Sequence, residues 1–170
     1  MPVSSAANSE TFKVSTPSDT EVRLTRLFDA PREVIFEVFT KPEHVKRWWG
    51  QLGEGYSTEA EGDVRVGGKW RYVAHHPKGE AEFYGEYREI KPPERLVFTE
   101  IYAPFPPANP EDASVCTLVL TEEKGKTRMT LTAKYDSLAT RDMVLQSGME
   151  KGAALSYDRL EEVAKELQRS

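Results

Sequence analysis

Apolar and polar residues alternate with a period of two through most of the middle of the chain. The clearest runs are Glu80 to Ile90 and Lys126 to Tyr135. Because successive side chains of a strand point to opposite faces, each run predicts a strand with one buried face and one face in water. The runs are separated by turn sequences, at Gly67-Gly68, Pro77-Lys78-Gly79, Pro92-Pro93 and Lys124-Gly125. The pattern therefore predicts an antiparallel meander from Tyr56 to Tyr135.

One strand and two short helices are predicted before this meander. Residues 21–28 alternate in the same way, although Arg26 falls on the apolar side. Asp29 followed by Pro31 is typical of a helix start, and an apolar stripe follows it. Thr40 and Glu43 then form the pattern of a capping box, which predicts a second short helix.

A long C-terminal helix is predicted over roughly residues 138–168. Its apolar residues recur at helical spacing: Leu145, Met149, Ala153, Leu160, Val163 and Leu167. This stripe is the simplest cover for the apolar face of the sheet. The expected fold class is therefore α+β, with a curved antiparallel sheet wrapped around the helix and an apolar cavity between them. Residues 1–19 have few side chains to bury and are expected to form a flexible tail, or an extension at the edge of the sheet, before a domain of residues 20–170.

Composition narrows the class of protein. A chain of 170 residues with 38% apolar residues is the size of one domain. Its 28 acidic and 23 basic residues are mixed along the chain, so nucleic acid is not an expected partner. The start has no long apolar stretch and Cys116 is the only cysteine, which together predict a cytoplasmic protein. No run is long enough to predict integral membrane association.

Four segments carry a resemblance to a known superfamily. They are DAPREVIFEVFTKPEHVKRWWG, VGGKWRYV, GEYREIKPPERLVFTE and GMEKGAALSYDRLEEV, in that order. The chain resembles the helix-grip (SRPBCC) superfamily of START domains and birch-pollen-type allergens, and within it the branch similar to the activator of the heat-shock ATPase. The similarity spans about Glu21 to Leu167. It implies a helix-grip fold with an internal cavity, and it does not imply a particular reaction.

The predicted inward faces supply a candidate ligand site. Strand parity and helical spacing place large apolar and aromatic residues there, together with one carboxylate. The candidate residues are Trp48, Trp70, Tyr72, Phe83, Tyr87, Phe98, Glu100, Met129, Leu131 and Met149. For the adjacent Trp48 and Trp49, we expect one ring to fill the core and the other to border an opening. Such a surface suits a small hydrophobic or aromatic molecule.

Glu100 is the residue that fits the apolar face least well. Its parity matches Leu96 and Phe98, where an unpaired charge would be costly. Arg26, a hydroxyl group of Tyr72 or Tyr87, or the polar end of a ligand would each satisfy it. In the alternative interpretation, a bulge or the following proline-rich loop carries Glu100 to the surface.

Other chemical groups give no site. His75 and His76 are adjacent, so they point to opposite faces of a strand and cannot bind one metal ion together, and His44 is distant in sequence. Cys116 lies in an apolar run and is expected to be buried. The sequence has no glycine-rich phosphate loop and no nucleophile elbow. We therefore expect no metal, no cofactor and no catalytic residue, with Glu100 as a weak candidate for the last.

Three functions stay open. The leading hypothesis is the binding of a small hydrophobic molecule. The second is a cyclase-like or aromatase-like enzyme that uses the same cavity, with Glu100 moving protons. The third is a protein-binding module similar to a co-chaperone. The proline-rich segment 103–112 is longer than a hairpin needs, so it is expected either to cover the cavity mouth or to form a surface such as a homodimer interface.

Overall fold

The computed structural model describes residues 9–169 and has the predicted helix-grip architecture. Within these residues, eight strands form one antiparallel sheet in the order β1-β2-β8-β7-β6-β5-β4-β3. The strands are β1 (Lys13–Ser15), β2 (Glu21–Phe28), β3 (Ser57–Gly62), β4 (Lys69–His76), β5 (Gly79–Lys91), β6 (Arg95–Tyr102), β7 (Ser114–Glu123) and β8 (Lys126–Lys134). The α-helices are α1 (Arg32–Thr40), α2 (Pro42–Trp48), α3 (Leu138–Gln146) and α4 (Met149–Arg169).

The sheet is open and its inward face follows the predicted parity. β1 and β3 lie at the two edges of the sheet and do not pair with each other. In β2, every second residue is buried, including Arg26. This strand pairs with β8 from Glu21 opposite Lys134 to Phe28 opposite Thr127. Alternation along the strands therefore places one apolar face toward the helices and one polar face toward water.

The two short helices follow β2 as predicted, but the second one begins differently. Pro42 occupies the first turn of α2, where its missing N–H costs no hydrogen bond. The hydroxyl group of Thr40 donates to the Phe36 carbonyl oxygen at 2.8 Å. It therefore closes the end of α1, and the capping box predicted for α2 does not form.

The C-terminal helix is not continuous. Gly148 has a φ of +86°, a left-handed conformation that favours glycine, and it separates α3 from α4. None of the residues of α3 is buried. In contrast, α4 packs on α1 and α2 and buries Leu160, Val163 and Ala164. The break does not disturb the apolar spacing, because Leu145 and Met149 still face the core.

The second half of the N-terminal segment lies at the edge of the sheet, which is one of the two arrangements expected for residues 1–19. β1 pairs with β2 from Lys13 opposite Thr25 to Ser15 opposite Arg23. The Leu27 N–H donates to the Thr11 hydroxyl oxygen at 3.0 Å. The Phe12 ring lies 5.9 Å from the ring of Tyr157. The packed domain therefore begins at or before Thr11 and not at residue 20. Residues 1–8 lie outside the described residues.

No helix among residues 9–169 combines the length and the apolar composition that crossing a bilayer would require.

Candidate functional site

The inward face of the sheet has a densely packed end. Phe28 and Met129 are fully buried there, at 0% exposure, and Leu120, opposite Met129, is 1% exposed. Leu160 and Val163 of α4 are equally buried and belong to the same core cluster. This end is a solid core without room for a ligand.

The opposite end of the same face is less densely packed. Along β8, Met129 is buried, whereas Leu131 and Ala133 are partly exposed. Along β6, Leu96 is buried, whereas Phe98 and Glu100 are partly exposed. The helix shows the same gradient, because Met149 and Ala153 at its beginning are partly exposed. Tyr135, just after β8, is also partly exposed. The change therefore occurs in β8, in β6 and in the helix. In the adjacent strands, Val22 of β2 and Cys116 of β7 lie opposite Ala133 and stay buried, at 2% and 3% exposure.

An aromatic cluster lies beside this less densely packed end. The ring centroids of Trp70 and Tyr72 are 4.7 Å apart, and those of Trp70 and Phe98 are 5.8 Å apart. Trp49 joins the cluster at 5.4 Å from both Tyr72 and Phe83. The structure therefore brings together four of the predicted site residues, from three strands, and adds Trp49 from the end of α2.

Trp70 has a structural role as well as an aromatic one. It is only 4% exposed, and its indole N–H donates to the Thr99 carbonyl oxygen at 3.1 Å. Gly85 lies opposite Trp70 in the β4–β5 pair. A Cβ atom at Gly85 would lie 1.8 Å from the same carbonyl oxygen. Glycine is therefore required for this close approach, and replacing Trp70 would cost stability rather than only enlarge a site.

Glu100 lies on the inward face, among tyrosines and Cys116. It is opposite Ser114 in the β6–β7 pair, and the Ser114 hydroxyl group donates to its backbone oxygen at 2.7 Å. Burial raises the pKa of the Glu100 carboxyl group to about 7. The pKa values of Tyr72, Cys116, Tyr135 and Tyr157 are raised by burial and further by the negative charge of Glu100. The carboxyl group therefore lies on the inward face, and the residue keeps part of its surface exposed.

The candidate partners of Glu100 within the described part of the chain form no hydrogen bond or ion pair with its side chain. Arg26 forms ion pairs with Asp158 and with Glu161, the latter at 3.5 Å. The hydroxyl groups of Tyr72 and Tyr87 lie close enough to influence each other's pKa. No residue among 9–169 forms a hydrogen bond or ion pair with the Glu100 side chain. Of the three partners expected from the sequence, neither Arg26 nor a tyrosine hydroxyl group bonds to Glu100 among the described residues, and the polar end of a ligand stays a prediction.

Five predicted site residues are buried members of the core: Trp48, Trp70, Tyr72, Tyr87 and Met129. Trp48 is 4% exposed, and its indole N–H donates to the Val38 carbonyl oxygen at 2.9 Å. Met129 is fully buried at the densely packed end. Trp49 is partly exposed and packs on Tyr72 and Phe83, and its place at an opening stays a prediction. Tyr135 and Tyr157 were missed, although each continues an inward pattern in its own element.

The remaining ionisable side chains do not form a second site. The ring nitrogens of His75 lie close to the carboxyl groups of Glu59 and Glu80, the latter at 3.2 Å, near the β4–β5 turn. Residues 9–169 contain no group of three or more histidine, cysteine or acidic side chains able to hold a metal ion. Two surface depressions have volumes of about 440 and 390 Å³, and Glu100 lines neither of them.

The Glu100→Gln variant is expected to be more stable than the parent above about pH 7, by roughly 2 kcal/mol. The pKa of Glu100 is about 7 in the folded protein against an ordinary value of 4.5. As pH rises, Glu100 therefore loses its proton in the unfolded chain first. The free energy of unfolding falls until Glu100 also ionises in the folded protein. Glutamine cannot ionise, so the gain should vanish below about pH 4.5. Urea unfolding across this pH range measures the difference.

The exposed Glu94 provides a matched control. Its replacement by Gln removes one carboxylate from the turn between β5 and β6 and should change stability little at any pH. If Glu100→Gln shows no greater effect than Glu94→Gln, the carboxyl group of Glu100 is in water and not in the interior.

Solved structures from several bacteria share this fold. A protein of Rhodobacter sphaeroides has a TM-score of 0.80 at 24% identity, covering 91% of this chain and 99% of its own. A protein of Nitrosomonas europaea has a TM-score of 0.77 at 23% identity, covering 91% of this chain and 100% of its own. CalU16 of Micromonospora echinospora has a TM-score of 0.58 at 23% identity, covering 93% of this chain and 87% of its own. At these identities the likeness establishes the fold alone.

A family model matches more specifically. No curated protein is significantly similar to this sequence. The family described as Activator of Hsp90 ATPase homolog 1-like protein matches residues 29–165. This range contains all four motif segments of the sequence and reaches from just before α1 to near the end of α4. The chain therefore belongs to the Activator of Hsp90 ATPase homolog 1-like family, the branch of the helix-grip superfamily that its motifs indicate.

Proposed function

We propose that the protein binds a small, mainly apolar or aromatic molecule between the sheet and the beginning of α4. The observation that carries this function is the gradient of burial along the inward face. Phe98, Leu131 and Ala153 keep accessible surface although they face inward, while residues further along the same elements are fully buried. Apolar side chains that are both inward and accessible favour an internal space that a ligand can fill.

A line of aromatic rings offers a route to this space from the surface. Phe105, in the proline-rich segment, is 78% exposed and lies 5.9 Å from the ring of Tyr102. Tyr102 lies 5.0 Å from Phe83, which contacts Trp49. Each ring gives an apolar ligand a surface on which to pack. The segment 103–112 is therefore proposed as the side from which the molecule enters.

Filling the proposed space should block binding without removing any packing. The Ala133→Phe variant adds a ring on the inward face of β8, next to Leu131. We expect it to lower the affinity for Nile red, a neutral apolar dye, by about tenfold or more, as measured by dye fluorescence. The midpoint of thermal unfolding should stay the same. Its control, Thr130→Phe, adds the same ring to the opposite face of β8 and should leave dye binding unchanged.

The same pair of variants can contradict the function. Dye that binds both variants and the parent equally would bind outside the proposed space. If Ala133→Phe instead unfolds the protein, the added ring has overpacked this region, and the parent has a solid core there without space for a ligand. Native mass spectrometry of the purified protein, before and after organic extraction, adds an independent measurement, because a retained small molecule would identify the ligand directly.

An acid–base reaction on the bound molecule is a second candidate function. It is favoured by the pKa of about 7 at Glu100, since such a carboxyl group can take up and release a proton at neutral pH. Conversion of a retained molecule by the parent protein, but not by the Glu100→Gln variant, would distinguish this enzyme from a binding protein.

A further inference from the structure

We propose that the ligand carries a cationic amine, which the Glu100 carboxylate pairs with in the interior. This inference rests on the proposed function, because it concerns the polar end of a molecule bound in the same space. It starts from the position of Glu100, inward on β6 and without a hydrogen-bond or ion-pair partner among residues 9–169. A carboxylate in such a position is stabilised most by a group of opposite charge.

The protein itself supplies no positive charge at this position. Burial alone raises the pKa of Glu100, with no lysine, arginine or histidine among the described residues lowering it. The titratable groups around it come from each neighbouring element, and burial raises the pKa of every one, so all are neutral near pH 7. The charge of Glu100 acts on Tyr72 of β4, Cys116 of β7, Tyr135 after β8 and Tyr157 of α4, and Tyr87 of β5 lies beside Tyr72.

Arg26 lies near this group of residues, but its charge is already paired with other carboxylates. Arg26 lowers the pKa of Tyr157 slightly against the effect of burial, so it lies near the same region. Its guanidinium group is fully buried and forms ion pairs with Asp158 and Glu161. It also lies 5.0 Å from the ring centre of Phe28. Two carboxylates therefore already balance its charge, and Glu100 is a separate negative group.

The surrounding aromatic rings favour a cation over an anion. Tyr72 interacts with Glu100 and also belongs to the cluster of Trp70, Trp49 and Phe98. The faces of such rings attract ammonium groups when water is excluded. The indole N–H of Trp70 already donates to Thr99, so it is not free to bind an anionic head group. An anionic ligand would meet the Glu100 carboxylate without a compensating donor.

This arrangement makes binding of an amine dependent on pH. Near pH 7 about half of the Glu100 side chains are protonated in the empty protein, since the pKa is about 7. An alkylammonium group keeps its charge well above this pH, and pairing with it requires the carboxylate form. Amine binding should therefore release the Glu100 proton to the buffer, and the preference for an amine should increase as pH rises from about 6 to about 8.

The experiment compares three probes of one shape by isothermal titration calorimetry at about pH 8. They are 2-(1-naphthyl)ethylamine, 2-(1-naphthyl)ethanol and 1-naphthylacetate, which are respectively cationic, neutral and anionic. The parent protein should bind the amine about tenfold or more tightly than the alcohol, and the acetate most weakly. In Glu100→Gln the ratio of amine to alcohol affinity should fall to about one. Glu94→Gln, the exposed control, should keep the parent ratio.

Each outcome decides between separate conclusions. Equal affinity of the parent for amine and alcohol, or an amine preference that persists in Glu100→Gln, overturns the charge preference and leaves the apolar binding function standing. A preference for the acetate assigns the site to an anion and also overturns it. If none of the three probes binds and Nile red also fails to bind, the proposed function itself is wrong.

Discussion

The Leu160→Asp variant is expected to lose cooperative thermal unfolding. Leu160 is fully buried on α4, in the core cluster that includes Phe28 and Met129. Removing its apolar contacts costs about 2–5 kcal/mol, and an unpaired carboxylate in the same place adds to this loss. The sum is of the same order as the whole stability of a typical domain, about 5–15 kcal/mol. Differential scanning calorimetry and far-ultraviolet circular dichroism measure the effect.

Two related variants separate the causes. Leu155→Asp places the same carboxylate on the same helix at a residue that is 39% exposed, and it should retain a melting transition close to the parent. Leu160→Ala removes the contacts without adding a charge and should fold with a lowered midpoint. A Leu160→Asp protein that melts like Leu155→Asp would mean that α4 does not cover the sheet.

Arg26→Met should destabilise the protein by about 3–5 kcal/mol although it places an apolar residue in an apolar region. Arg26 pairs with Asp158 and Glu161, and both Arg26 and Glu161 are fully buried. Without the guanidinium group, the Glu161 carboxylate keeps the Asp29 N–H at 3.0 Å but loses its cation. The uncompensated buried charge is the main cost. The midpoint of urea unfolding at neutral pH measures it.

Arg23→Met is the matched control, because this arginine lies on the opposite face of the same strand and bonds to the Thr132 hydroxyl oxygen at 3.0 Å. It should cost less than about 1 kcal/mol. Adding Glu161→Gln to Arg26→Met should recover a large part of the loss, since the second change removes the uncompensated charge. No recovery in the double variant would show that the loss came from packing and not from charge.

Most of the fold can be predicted from the sequence, because strands and turns are set by local residue patterns. Strand parity and the spacing of turn sequences predict the meander, and the predicted helix-grip class is confirmed. The break at Gly148 was not predicted, because the apolar stripe continues across it from Leu145 to Met149 at the spacing of an unbroken helix. For residues 11–15, composition left a flexible tail and an edge extension open. The three residues of β1 pair with β2, and Phe12 just before them packs on the distant Tyr157, a contact that no local pattern reveals.

The site could be anticipated only in part. Parity alone suggested that Glu100 and Arg26 share the inward face, and the structure places both there. The partners of Arg26 are more than 130 residues away in α4, so sequence proximity could not distinguish them from Glu100. Parity also cannot separate a residue in solid core from one at a less densely packed end. Trp48 and Met129 were therefore grouped with Phe98 and Leu131, although only the latter two keep accessible surface.

The open edges of the sheet constrain how two copies of this protein can associate. The outer strand β3 has the sequence STEAEG, in which Glu59 and Glu61 are exposed. If two β3 strands paired about Ala60 as a two-fold axis, each Glu59 would face a Glu61 of the other copy, and the like charges would repel. The other edge, β1, has only three residues and offers too short a template for stable pairing. The charge pattern and the short edge therefore act against fibre-like growth and direct any self-association away from the strand edges.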